Sequence, residues 1–399
     1  MPAPAKPTKM PYIWQHPGWP ELHFDASALH HALDEARLEQ GKLLGLLDAI
    51  GLHSATEVVR ELWVHEAMAT AAIEGDALDL SAVRSSVSHQ LGLHAVRQSN
   101  RHVDGLIDVM QDATQGHHEP LSDDRLWRWQ SALFPGGTSG LQRIAVGRYR
   151  DHAQAMEIIS GTAGREEVHY SAPPSTQVPA EMHQFLSWFE STRPQDKLAV
   201  SAPPTLNGLL RAGLAHLWFE SIHPFEDGNG RLGRAIVDMA IAQDISAPMR
   251  VFGMARQMQA QRSAYYDALN AAQRGSLDVT PWLQWFVQTF AQACRASQGV
   301  VRQALDKSAF RLRAAQCGLS ARQTKVLDRL LEAGNTELGG GFLGGMTTDK
   351  YSKITSASKA TASRDLSDLL AKGLLRVDGV GKATRYAIAI EEWQQPSPT

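Results

Sequence analysis

The sequence predicts a mainly α-helical protein with one short β-hairpin near its middle and a small C-terminal domain of helices and a two-stranded wing. Three observations predict it. Apolar residues recur at helical spacing through most of the 399 residues. Before residue 300, only the stretch from Gly147 to Pro179 has the glycine and proline punctuation of a strand pair. After about Arg302 the composition shifts, and the run Gly339 to Gly345 separates the last short helical patterns from what precedes them.

The elements follow in order. Residues 1–20 contain six prolines and read as an extended arm, and Tyr12, Trp14, Trp19 and Phe24 equip it to pack onto something. From about Ala26 to Arg101 the pattern is helical, with Leu29, Leu33, Leu43, Leu46 and Leu47 at helix spacing. Thr56 is a candidate N-cap for a helix through Val58, Val59, Leu62 and Trp63, which stops at Glu74-Gly75 because glycine terminates helices well. His117 to Pro120 read as a linker. A helix over Leu126–Leu133 ends at the turn Pro135-Gly136-Gly137, and Val168-His169-Tyr170 lie in the strand pair. Helices resume over Pro179–Ser191, Leu206–Ile222, Leu232–Ala242, Met258–Ala272 and Pro281–Ala296. The C-terminal part holds helical patterns at 319–333, Thr348–Ile354 and Ser358–Lys372. A wing of Leu374–Val377 and Thr384–Ala387 follows, turned at Gly379-Val380-Gly381. The expected organisation is an N-terminal extension (1–60), a helical region (61–118), a central domain (119–300) and a C-terminal domain (312–391).

Composition narrows the function. The 39 Lys+Arg against 42 Asp+Glu leave a net charge of −3, which argues against whole-chain coating of nucleic acid or acidic membrane. No apolar stretch reaches the roughly 18 residues of a membrane span, and the proline-broken N-terminus has no signal-peptide core. The two cysteines, Cys294 and Cys317, form no CxxC, so a disulfide framework and a cysteine zinc site are excluded and a cytoplasmic location is expected.

The chemistry is concentrated in Ser221-Ile222-His223-Pro224-Phe225-Glu226-Asp227-Gly228-Asn229-Gly230-Arg231-Leu232-Gly233-Arg234. This polar turn joins two strongly apolar helices, where it is costly to keep without a use. Gly228, Asn229 and Gly230 let backbone approach a ligand closely, and the free amides and positive dipole end of the next helix form an anion site. Arg231 and Arg234, three apart, can both reach phosphate oxygens at that end. Asp227 can hold Mg²⁺, which takes one or two carboxylates beside substrate phosphates. His223 has the ordinary pKa of a general base near neutrality. A Walker loop is excluded, because its lysine and the following Ser/Thr are missing.

With these residues in place, the chain resembles the Fic family, whose signature HPFx(D/E)GNGRxxR is matched at every fixed position by His223–Arg234. The likeness extends in helix order from about Leu121 to Ala296. The resemblance implies a protein adenylyltransferase that moves AMP from ATP to a hydroxyl of a target protein. It implies His223 as the base and Asp227 as the magnesium ligand. Gly228, Asn229, Gly230 and the amides opening the next helix, through Leu232 and Gly233, would cradle the α- and β-phosphates. Arg231 would lie near the β-phosphate and Arg234 on the γ-phosphate. Val168, His169, Tyr170 and Ser171 resemble the family flap, which clamps a target by strand addition and touches nucleotide. Tyr265, Tyr266 and Gln273 match the region lining adenosine. Upstream, Thr70-Ala71-Ala72-Ile73-Glu74-Gly75 resembles the family's inhibitory motif (S/T)xxxE(G/N). Glu74 would pair with Arg234 in the γ-phosphate place, and Thr70 would hold its helix. Self-modification and a homodimer are further expectations. Rivals are removal of AMP at the same site and a nucleotide-sensing DNA regulator.

Ser358-Lys359-Ala360-Thr361 opens a helix with a capping serine, and Leu366, Leu369 and Leu370 form its core face. With the preceding helix and the wing, this segment resembles a winged helix-turn-helix. Gly345 to Tyr386 hold eight Lys/Arg and four Asp, a local excess that suits either DNA phosphate or a protein partner. His216, seven residues before His223, reads as a packed histidine.

Overall fold

A computed structural model describes residues 12–49, 52–93, 100–160, 167–194, 206–246, 251–333, 345–379, 384–390 and 393. The first eleven residues of the arm, Gly161 and Gly164, the glycine run up to Gly344 and the wing turn at Val380-Gly381 lie outside the described residues. Chain order runs α1 (Ala26–Asp48), α2 (Leu52–Ile73), α3 (Leu80–Gln90), α4 (Arg101–Gln115), α5 (Asp123–Leu133), β1 (Thr138–Ser139), β2 (Gln142–Arg143), β3 (Glu157–Ser160), β4 (Glu167–Ser171), α6 (Val178–Ser191), α7 (Gly208–Ile222), α8 (Asn229–Ile245), α9 (Met254–Ala260), α10 (Arg262–Gln273), α11 (Thr280–Ala315), α12 (Ala321–Ala333), α13 (Thr348–Thr355), α14 (Lys359–Ala371), β5 (Leu375–Asp378) and β6 (Arg385–Ile388). The architecture is mainly helical. Among the described residues the strands form three separate antiparallel pairs, β1–β2, β3–β4 and β5–β6.

The chain divides into two compact units, Met1–Gly45 with Thr56–Gln298, and Leu46–Ala55 with Gly299–Thr399. The first is built around α7. Every residue of α7 is buried, which its unbroken apolar run Leu209, Leu210, Leu214, Leu217, Trp218 and Phe219 requires. It packs against α6, α8 and α10. Helix α4 crosses α5 so closely at Gly105 that an added Cβ would fall 1.9 Å from the Ala132 carbonyl. Two stretches of polar side chain fix helix starts here: Ser122 accepts from the Arg125 amide and Asp79 from the Ala82 amide.

The aromatic arm packs on this unit. Tyr12 meets Tyr170 edge-on (ring centroids 5.1 Å apart), Trp14 Nε1 donates to the Ser171 carbonyl, and Trp19 Nε1 donates to Glu181. The β3–β4 hairpin carries a register shift, so that His169 has no opposite residue between the Ile158–Tyr170 and Ile159–Val168 pairs.

In the second unit, α12, α13, α14 and the β5–β6 ribbon surround a core of Val326, Leu330, Tyr351, Leu366, Leu369, Leu375 and Ile388. Ser358 caps α14 by accepting from the Thr361 amide, and Met346 bridges to Tyr386 beside the ribbon.

The structure differs from the sequence expectation in five places. Leu370, expected on the core face of α14 beside Leu366 and Leu369, is exposed, because it lies off the stripe those two form. Thr56 lies inside α2, which begins at Leu52. A second strand pair, β1–β2, precedes the expected hairpin; two residues per strand are too few to alternate. The expected helix Met258–Ala272 is two helices, α9 and α10, broken at Gln261 (φ −115°, ψ 37°), where no glycine or proline marks the break. Helix α11 runs on past Ala296 to Ala315, because residues 297–315 contain no proline and keep burying Val300, Val301 and Phe310.

Candidate active site

The turn between α7 and α8 needs two reversals of the chain, and each has a left-handed residue. His223 closes α7 with φ 51°, and Gly228 opens α8 with φ 90°. Glycine suits such a φ, whereas histidine is held there at a cost of roughly 1 kcal/mol or more. Asn229 is buried and organises the turn: its Oδ1 accepts from the Phe225 amide and its Nδ2 donates to the Phe225 carbonyl, both at 2.9 Å. Its side chain is thereby committed to the backbone, and the amides that open α8 before Leu232 have no intrahelical acceptor.

Arg234 is 3% exposed and lies one turn into α8. Its Nη2 donates to Glu74 Oε1 at 2.6 Å and to the Thr70 carbonyl at 3.0 Å, and its Nε donates to Thr70 Oγ1 at 2.7 Å. Glu74 stands just past the end of α2, and a Cβ added to Gly230 would lie 2.2 Å from Glu74 Oε1. A carboxylate of the chain itself therefore rests on the N-terminal turn of α8. Arg234 Nη1 and Arg231 Nε are buried without a hydrogen-bond partner among the described residues. Arg231 also donates to Asp76 at 3.2 Å, lies 3.7 Å from Asp227 and stacks 4.9 Å over the Phe134 ring. Asp227 accepts from the Gly228 amide and from Ser139 Oγ.

Burial decides the protonation states. It holds the His223 imidazole down to about 4, helped by the positive charge of Arg150. It holds His216 down to about 3, helped by Arg234, and pushes the Glu220 carboxyl up to about 8, helped by the charge of Glu74. Burial also opposes ionisation of Glu74, but Arg234, with Arg231 and His223, outweighs it and holds that carboxyl below the usual range. His223 Nδ1 lies 3.7 Å from Glu220 Oε2. At neutral pH this is a neutral imidazole beside a neutral carboxyl.

These shifts predict a pH dependence of stability. Between about pH 6 and 5 an unfolded chain protonates both imidazoles, whereas the folded chain keeps them neutral. Glu220 acts the other way, because the folded chain holds its proton and the unfolded chain releases it. The unfolded state therefore binds about one proton more from these groups, and stability falls as pH falls, on the order of 1 kcal/mol per pH unit. Urea unfolding at pH 6 and at pH 5 checks this: the midpoint should drop, and a rise would mean that an imidazole is already charged in the folded protein.

The other candidate residues are placed as follows. Leu232 and Gly233 are buried in α8, and Gly233 faces Glu220 and His216 so closely that a Cβ would lie 2.4 Å from Glu220 Oε1. Tyr170 is turned inward, donating to the Ser221 carbonyl at 2.7 Å. The Val168 and His169 carbonyls accept from Arg274, and the Ser171 carbonyl from Trp14. Tyr265 is buried with its hydroxyl 2.9 Å from His216 Nε2, so His216 is packed and partnered. Tyr266 donates to the Ile73 carbonyl at 3.3 Å, at the end of α2. Gln273 is buried and its Nε2 has no partner among the described residues. Sequence reasoning missed Asp76, Ser139, Glu220 and Arg150. Asp76, two residues beyond Glu74, could have been read from the acid next to the inhibitory pattern; the others carry no local signal.

Residues 120–241 match the Fic/DOC family. The middle of the chain is thus similar to that family. Residues 12–93 match a second family, described as a domain of unknown function (DUF4172), which lies ahead of the Fic/DOC match and takes in Glu74. The chain is 26% identical over 110 residues to a probable protein adenylyltransferase of Aquifex aeolicus (strain VF5), covering 28% of each protein. It is 28% identical over 141 residues to a uridine 5′-monophosphate transferase of Xanthomonas campestris pv. campestris (strain 8004), covering 35% of this chain and 24% of that one. The chain thus spans about a quarter of the length of these curated relatives. The crystal structure of a Fic family protein from Desulfovibrio desulfuricans G20 superposes with a TM-score of 0.50 at 18% identity, covering 94% of this chain and 99% of that one, and shares the fold. No helix among the described residues is long and apolar enough to cross a membrane.

Proposed function

We propose that this chain transfers a nucleoside monophosphate to a Ser, Thr or Tyr hydroxyl of a protein, with ATP as donor and AMP as the group moved, and that Glu74 holds the reaction in check. The observation that carries this reading is the Glu74 carboxylate seated against Gly230 and on Arg234. The opening of α8 takes an anion, and here the chain supplies its own. The unpartnered Arg234 Nη1 and Arg231 Nε fit a polyphosphate, which offers more oxygens than one carboxylate. The names of the two curated relatives, one an adenylyltransferase and one a uridine 5′-monophosphate transferase, support monophosphate transfer as the reaction class.

In this mechanism neutral His223 accepts the proton of the target hydroxyl. Its Nδ1 faces Glu220, which leaves Nε2 for the substrate. The hydroxyl oxygen then bonds to the α-phosphorus, the bond from that phosphorus to the bridging oxygen breaks, and pyrophosphate leaves. Amides at Gly230 and Arg231, which precede the first intrahelical bond of α8 (Leu232 amide to Gly228 carbonyl), meet the charge that develops. Asp227 would hold Mg²⁺. Its carboxylate is fixed by Ser139 and the Gly228 amide, and one protein carboxylate beside phosphates and waters suits that ion. A bound magnesium would neutralise phosphate charge there. Tyr265, Tyr266 and Gln273 would line the adenosine, and the β3–β4 hairpin would present the target segment by strand addition.

The C-terminal unit we read as a winged helix with α14 in the recognition position. Lys359 sits on Asp349 (2.8 Å), Arg322 on Asp365 (3.2 Å) and Lys372 on Asp368 (2.7 Å). These pairs draw basic charge away from a DNA-facing surface and support docking to protein, including a second copy of the chain.

Incubation in lysate with ATP or UTP labelled on the α- or γ-phosphate tests the reading. Protein-bound label is expected from α-labelled ATP. Label from the γ position would sink nucleotide transfer, and preference for α-labelled UTP would replace AMP by UMP.

A further inference from the structure

A helix that ends in a left-handed histidine exposes its last carbonyls, and these need donors. Along the end of α7 they have an unusual set. Tyr170 Oη donates to the Ser221 carbonyl at 2.7 Å. Arg150 supplies the next three: Nη2 to Ile222 at 3.2 Å, Nε to His223 at 2.8 Å, and its own backbone amide to Pro224 at 2.9 Å. The same guanidinium donates to the Pro173 carbonyl at 2.6 Å and Ser175 Oγ at 2.9 Å, just past the β3–β4 hairpin. Arg150 is 2% exposed, among the largest fully enclosed side chains of the chain. Among the described residues it pairs with no carboxylate; its acceptors there are backbone carbonyls and one hydroxyl. An arginine side chain desolvated to hold two consecutive carbonyls is costly, and one of the two belongs to His223.

We propose that Arg150 is a positioning residue for His223: by gripping the carbonyls of Ile222 and His223 with its guanidinium it fixes the left-handed turn that aims the imidazole at the reacting hydroxyl. The inference rests on the function proposed above. The positive charge of Arg150 also favours the neutral, proton-accepting imidazole. The other charged or titratable groups around that ring are Glu220, Glu74 and Asp227. The phosphate cradle is organised separately, by Asn229 and the first turn of α8.

Two variants, made in a Glu74→Gly parent, separate grip from charge. Arg150→Lys keeps the charge but cannot fork across the carbonyls; Arg150→Gln loses both. In each, kcat for transfer from α-labelled ATP should fall roughly 10- to 100-fold, while KM for ATP stays within about twofold. In histidine-labelled NMR titrations, with His223 assigned by its loss in His223→Asn, the imidazole pKa should rise in Arg150→Gln and hold in Arg150→Lys. Unchanged kcat, a loss confined to KM, or an unmoved titration in Arg150→Gln overturns the proposal. If Arg150→Gln fails to fold, Arg150→Lys decides by its kcat. A parent that transfers no label refutes the proposed function instead, and the titration still decides the role of Arg150.

Discussion

Replacing Glu74 by glycine is expected to raise nucleotide transfer by roughly 10- to 100-fold. The replacement removes a charge-assisted hydrogen bond, a contact worth about 1.5–3 kcal/mol, that competes with phosphate for Arg234. The variant should also be less stable without nucleotide. Arg234 stays buried and keeps only its bonds to Thr70. Because Glu74 is 31% exposed, the cost is discounted to about 1–2 kcal/mol. ATP with magnesium should restore the loss, because a ligand that binds only the folded state stabilises it. Thermal melts with and without nucleotide, beside the labelled-transfer assay, check both halves. An unchanged transfer rate would show that the carboxylate does not obstruct the donor.

Replacing His223 should abolish transfer while leaving nucleotide binding intact. Loss of a positioned general base costs about 10²- to 10⁴-fold. His223→Asn is the better replacement than alanine, because asparagine tolerates the left-handed backbone at this position. The expected result is transfer near background, with the affinity for ATP within a few-fold of the parent by calorimetry. Equal loss of binding and transfer would place the imidazole in the ligand cradle rather than at the attacking oxygen.

Much of the helical layout was legible in the amino-acid sequence because its boundaries carry their own chemistry. Gly75 ends α2 and adopts φ 86°, Ser358 caps α14, and the all-apolar α7 lies wholly inside. The turn from His223 to Arg234 stood out because polar groups of complementary type sit between two apolar helices. What was not legible depends on contacts distant in sequence. Arg150 is one arginine in a Gly/Pro-rich stretch, and its worth appears only when the end of α7, 72 to 73 residues further on, is folded against it. Ser139 and Asp227 stand 88 residues apart. The reach of α11 was hidden for the opposite reason: the residues beyond Ala296 simply lack a stop signal.

The spacing along α2 bears on how the restraint proposed for Glu74 would be released. Glu66 accepts from the Ala255 and Arg256 amides that open α9, Thr70 engages Arg234, and Glu74 follows at the same interval of four residues. One stripe of the helix is thus pinned at two points before the carboxylate is reached. Glu74 itself lies beyond the last regular turn, next to Gly75, whose φ of 86° suits glycine. If Glu74 restrains transfer as proposed, the carboxylate stands at the tip of a rod held at two earlier points, and letting go of Arg234 would not require withdrawing the rod from its seat.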